Sequence, residues 1–161
     1  MTKAMMRPTL ILAGAAAAAL MLAAGCGGSS GGGDRSQDRL SKKEYASRLN
    51  AICSDYNDFV DSVAAPNSMA EVGPWVDKLL PKFKDTVSEA RKLNPPADVQ
   101  QAANEFVSTG DQEADLLEDV RAAAKDDDTQ KVQELQQRGA ELDNRSDELA
   151  RRLGANDCVT S

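Results

Sequence analysis

From Leu40 to Gly154 the apolar residues recur at steps of three and four, and no stretch alternates with period two. That spacing gathers them on one face of a helix, where a strand would split them between two faces. The chain is therefore expected to be all-α, each helix burying one stripe. The first helix is predicted over about Ser41 to Ala64, with Tyr45, Leu49, Ile52, Tyr56, Phe59 and Val63 inward and Ser41 and Glu44 as a capping box. The second runs from about Ser68 to Leu93, with a second capping box at Ser68 and Glu71 and with Val72, Val76, Leu79, Phe83, Val87 and Ala90 inward. Pro74 follows Gly73 and can restart this helix, while Pro81 removes an interior donor and should kink it.

Asn94-Pro95-Pro96 stops the second helix and offers the third a proline at its first position. The third stripe, Val99, Ala103, Phe106, Leu117, Val120 and Ala124, reaches about Lys125, with Gly110 in its middle. The fourth helix begins near Asp128 or Thr129 and turns Val132, Leu135, Leu142, Leu149 and Leu153 inward, with small residues at Gly139 and Ser146 and a terminating Gly154. Helices of this length joined by short turns make an antiparallel up-down four-helix bundle the simplest topology over residues 40–158, followed by a tail at 159–161. All six aromatic residues fall on the first three helices, so the side built by helix four looks thin. Gly139 and Ser146 either let helix four pack closely or, with the Pro81 kink, open a slot for a small hydrophobic ligand or lipid between helices two and four.

Histidine is absent from all 161 residues. Ser-His-Asp and Cys-His nucleophile systems, His-ligated zinc and haem, and the Glu-x-x-His di-iron sites of helical bundles are thereby excluded. Asp111, Glu113, Asp115, Glu118 and Asp119 crowd helix three, but an acid and base pair needs burial to separate its pKa values, and these residues are expected on a solvated face. No catalytic residue, metal or cofactor is assigned, and the expectation is a protein that is not an enzyme. Asn144-Arg145-Ser146 matches the glycosylation triplet, mid-helix, by chance.

The first 25 residues read as a targeting segment: Lys3 and Arg7 supply the positive region and Pro8 to Ala24 the uncharged core. Leu22-Ala23-Ala24-Gly25-Cys26 resembles the lipobox of bacterial lipoproteins, with Ala23 where the family most often has leucine. The resemblance implies cleavage before Cys26, a thioether-linked diacylglyceride on its sulfur, and stable anchoring in the cell membrane on its extracytoplasmic side. Gly27 to Arg39 is rich in Gly and Ser with no apolar side chain, a flexible tether spanning on the order of 20 Å. Losing Lys3 and Arg7 makes the chain more acidic than its net charge of -7, so nucleic acid is not an expected partner.

Outside the cytoplasm thiols are oxidised, which leaves Cys53 and Cys158 one intramolecular pairing. A redox pair or an acylated second cysteine is the alternative, without a Cys-x-x-Cys motif to support it. A disulfide makes a geometric demand, because Cys53 lies about 18 Å up the first helix from Ser41, so Ala155 to Cys158 must turn at Gly154 and climb. At the end of the bundle away from the tether, Asp126-Asp127-Asp128 forms an acidic knob. It lacks the alternation and glycine of an EF-hand loop; it serves as helix caps, and it is also the candidate interaction surface for a basic partner.

The capped first helix with Tyr45, Asn50-Ala51-Ile52-Cys53 and Asn57, the Leu93-Asn94-Pro95-Pro96-Ala97 turn, and Leu153-Gly154 followed by Cys158 resemble small extracytoplasmic helical lipoproteins and secreted proteins of high-GC Gram-positive bacteria. That resemblance implies the fold, the disulfide and the location, and transfers no catalytic residues. The functional expectation is a membrane-anchored protein-interaction or accessory module, its partner an envelope protein or a hydrophobic ligand and its oligomeric state open.

Overall fold

The computed structural model describes residues 39–160; the leader, Cys26 and the tether up to residue 38 lie outside the described residues. Four helices follow in order: α1 (Lys42–Ser62), α2 (Met69–Lys92), α3 (Gln100–Lys125) and α4 (Thr129–Leu153). A short 3-10 turn over Asn156–Cys158 closes the chain. No strand occurs among the described residues, and none of their helices is long and apolar enough to cross a membrane.

Local chemistry sets the helix ends. Ser41 and Glu44 form the expected capping box, the Glu44 N–H donating to Ser41 Oγ at 3.3 Å and the Ser41 N–H to Glu44 Oε2 at 3.1 Å. The second box does not form. Ser68 makes no side-chain cap, and the Glu71 carboxylate accepts the Asn67 N–H at 2.8 Å instead. α2 runs unbroken through Pro74 and Pro81, both on its exposed face, where water can take the carbonyls of Ala70 and Asp77 that lose their donors. α3 starts later than the proline pair suggests. Val99 N–H bonds Pro96 O at 3.2 Å in a tight turn over 97–99, and regular α geometry begins at Gln100.

Cross-helix contacts fix the directions. Leu40 N–H bonds Asn94 O at 3.0 Å, setting the start of α1 beside the end of α2, and Arg39, the last residue of the expected tether, donates to Pro95 O at 2.9 Å. Arg91 pairs with Asp111, and Arg121 with Asp77, so α2 and α3 are antiparallel. The space for a Cβ at Gly110 is taken by Val87 Cγ2 at 2.8 Å, and only glycine lets these two helices approach so closely. Leu116 of α3 lies against Gly139 of α4, and Ala46 of α1 against Gly154. The result is the expected up-down bundle.

The core is unevenly shared. At the entry end, Tyr45, Leu49 and Cys53 of α1 pack with Ala90, Ala102, Ala103, Leu149, Ala150 and Leu153. Towards the far end the clusters are Val76, Leu80 and Ala114, then Leu116, Ala123, Ala124, Val132 and Leu135, with no buried residue from α1 in either. Sandwiched between α2 and α4, α3 buries a wider face than its stripe, including Thr109, Gly110, Ala114 and Leu116. The thin side of the bundle is thus the far third of α1, not α4.

Candidate functional site

The C-terminal segment folds back as a strap. Gly154 adopts φ 73° and Ala155 N–H reaches Ala150 O at 2.9 Å, a Schellman-type end in which C-double-prime Ala155 is fully buried. The chain then climbs along α1, as a Cys53–Cys158 disulfide requires. The sulfurs are 2.02 Å apart and the Cα atoms 5.0 Å apart. Two asparagines of α1 hold the strap: Asn50 accepts the Asp157 N–H at 2.9 Å, and Asn57 donates to Asp157 O at 2.8 Å. From the other side, buried Asp147 of α4 accepts the Thr160 N–H at 2.9 Å and pairs with Arg151 at 3.3 Å. The strap therefore fills the space between α1 and α4, which touch each other sparsely.

Asp126, Asp127 and Asp128 all stand exposed in the turn between α3 and α4. Each has a backbone task. Asp126 is the C-cap of α3, Asp127 takes the left-handed conformation at φ 53°, and Asp128 caps α4 by accepting the Lys131 N–H at 2.9 Å. Asp128 N–H bonds Ala123 O at 2.9 Å and Asp127 N–H bonds Ala124 O at 3.3 Å, a second Schellman motif with aspartate where glycine is usual. Among the described residues no group of three or more acidic or cysteine side chains is arranged to hold a metal ion. Cys26 lies outside the described residues.

One residue expected on a solvated face is corrected by the structure. Glu113 projects from α3 into the seam shared with α1 and α4, and its Oε1 is buried without a hydrogen-bond partner. Burial pushes its carboxyl up from 4.5 to about 7; repulsion by Asp143 adds to this, a hydrogen bond from Ser146 opposes it, and Asp147 adds a little more. Burial likewise raises Asp143, with Asp147 contributing. Over them lies Tyr56 of α1, pushed up to about 12 by burial and by the two acids Glu113 and Asp143, its ring packed on Phe83 at 5.3 Å between centroids. The signal for Glu113 was present: it sits seven residues from both Phe106 and Val120, on the apolar stripe itself.

This seam can hold a proton near neutrality, and two surface hollows lie away from it. One surface hollow is formed by Ala97, Gln100, Gln101, Asn104, Glu105 and Ser108 along α3, another by Lys43, Glu44, Ser47 and Arg48 along α1. Neither includes Glu113 or lies between α2 and α4. Compared with known protein families, with curated proteins and with solved structures, the chain matches none.

Proposed function

We propose that this chain is a lipid-anchored extracytoplasmic module that works by holding a partner-binding surface off the membrane rather than by catalysis. The observation that carries the reading is the strap: a Cys53–Cys158 disulfide tied down by Asn50, Asn57 and Asp147 suits an oxidising compartment. The lipobox-like Leu22 to Cys26 and the Gly/Ser-rich tether agree with it, since two acyl chains on Cys26 would secure what one could not. The acidic turn at Asp126 to Asp128 is the interaction surface of this proposal, steering a basic envelope protein through charge.

The test is fractionation of cells making the wild-type chain or its Cys26→Ala variant. Wild type should stay with the membrane through a high-salt wash and carry an acyl-modified N-terminal peptide beginning at Cys26. An equal distribution of the two variants would reject the anchor. For the surface, co-purification with an envelope partner should weaken steeply as salt rises and on replacing all three aspartates by asparagine; salt-independent association would reject the acidic turn.

A further inference from the structure

The charges of α1 run against its dipole. A helix favours acids in its first turn and bases in its last. α1 begins with Lys42 and Lys43 and closes with exposed Asp58 and Asp61, without a base in its last turn. Helix stability gains nothing from that order, which calls for a partner outside the helix. The same polarity extends across the bundle. Leu40 N–H on Asn94 O and Gly154 against Ala46 bring the start of α1 to the ends of α2 and α4, whose last turns carry Arg91 with Lys92 and Arg151 with Arg152. The opposite end holds Asp58, Asp61, Glu71 and the exposed turn Asp126 to Asp128. Acids at the tether end are largely engaged: Asp98 pairs with Lys42, Asp147 with Arg151, and Glu44 accepts from Ser41, while Glu89 and Glu148 lie about one turn further in. Lys43, Arg48, Lys92 and Arg152, by contrast, are exposed and make no ion pair among the described residues. Lys43 and Arg48 also line one surface hollow on α1 with Glu44 and Ser47.

We propose that the end of the bundle that receives the tether is a membrane-facing surface, its Lys43, Arg48, Lys92 and Arg152 resting against anionic phospholipid headgroups while the Asp126 to Asp128 end points away. The proposal rests on the anchored reading, in which Cys26 and the segment up to Arg39 hold this end near the bilayer. The chain as a whole is acidic at -7, and a free domain of that sign is not drawn to an anionic surface. Distance along the axis changes the balance. α4, with 25 residues, is about 37 Å long, while exposed charges are screened beyond about 8 Å at physiological salt. Once the tether brings the basic end to the headgroups, the far acids lie several screening lengths away and the nearby cations decide the interaction. Headgroup phosphates suit these side chains, because lysine and arginine on three separate helices can each meet a different lipid without a fixed mutual geometry.

Lysine modification read by mass spectrometry tests this on the full acylated chain in vesicles, either of phosphatidylcholine alone or carrying about 30 mol% phosphatidylglycerol. On the anionic vesicles an amine-reactive reagent should modify Lys42, Lys43 and Lys92 about threefold more slowly, with Lys125 and Lys131 at the far end unchanged, and about 0.5 M NaCl should erase the difference. The triple variant Lys43→Glu, Lys92→Glu, Arg152→Glu should likewise erase it at Lys42, whereas Lys78→Glu with Lys131→Glu should leave it intact at Lys43. A chain that floats with neither vesicle lacks the anchor and removes the proposal with it. A chain that floats with both, yet is modified equally on the two, keeps the anchor and overturns the membrane-facing end. Protection at Lys125, or protection that appears only after an envelope extract is added, would overturn it as well.

Discussion

The close approach of α2 and α3 at Gly110 makes a prediction whose sign is diagnostic. An alanine Cβ there would lie 2.8 Å from Val87 Cγ2 and 3.5 Å from its Cγ1. Carbon atoms at rest stand about 3.5 to 4.0 Å apart, so the nearer contact overlaps by roughly 0.7 Å or more. Val87 is buried and β-branched, with essentially one rotamer open to it in a helix, so it cannot swing aside and the helices must part. Overpacking of this kind costs about 1 to 3 kcal/mol, against about 1 kcal/mol gained because alanine is the better helix former. Gly110→Ala should therefore lose about 1 kcal/mol, lowering the melting temperature by about 3 to 5 °C. Val87→Ala alone should cost about 2 kcal/mol, yet in the Gly110→Ala background it should cost much less, because the clash is gone. Urea denaturation of residues 34–161, one compact unit, completes the cycle. An additive cycle, or a Gly110→Ala protein about 1 kcal/mol more stable than wild type, would refute the close approach.

Glu113 supplies a pH prediction: its folded carboxyl titrates at about 7 against an ordinary 4.5, so its stabilisation is complete below about pH 4.5 and is lost as pH rises to about 7. The loss is at most about 3 kcal/mol, and Glu113→Gln should show a much flatter urea midpoint between pH 5 and 8; parallel slopes would contradict it. Asp127 holds the left-handed end of α3 at φ 53°, so Asp127→Gly should raise the unfolding free energy by roughly 0.5 to 1 kcal/mol, and a decrease would argue against that geometry. Reducing Cys53–Cys158, which closes a separation of 105 residues, should cost about 5 kcal/mol in the chain-entropy view. A change below about 1 kcal/mol on adding reductant in urea titrations would show that the strap contributes little.

The legible features were those written in local chemistry. Apolar spacing marked four helices, Ser41 with Glu44 marked the start of α1, and Gly154 marked the turn that sends Cys158 back to Cys53. Where competing partners decide the outcome, local pattern does not specify it. Glu71 prefers the Asn67 N–H to completing a box with Ser68, and the residues after Pro96 make one tight turn before helix begins. Buried polar groups were the hardest. Composition groups Glu113 with its acidic neighbours at 111, 115, 118 and 119, whereas its seven-residue spacing to Phe106 and Val120 sets it on the inner stripe. Asp147 gives no sign in the helical pattern, because its burial depends on Thr160 returning through the strap, a partner defined only by the tertiary path.

One intact-mass measurement on the protein extracted with detergent from its own cells tests the proposed anchor at Cys26 together with the Cys53–Cys158 disulfide. The expected species starts at Cys26, carries a diacylglyceryl group on that sulfur, and weighs two hydrogens less than its reduced form. A chain retaining residues 1–25, a Cys26 without lipid, or free thiols at Cys53 and Cys158 would contradict it.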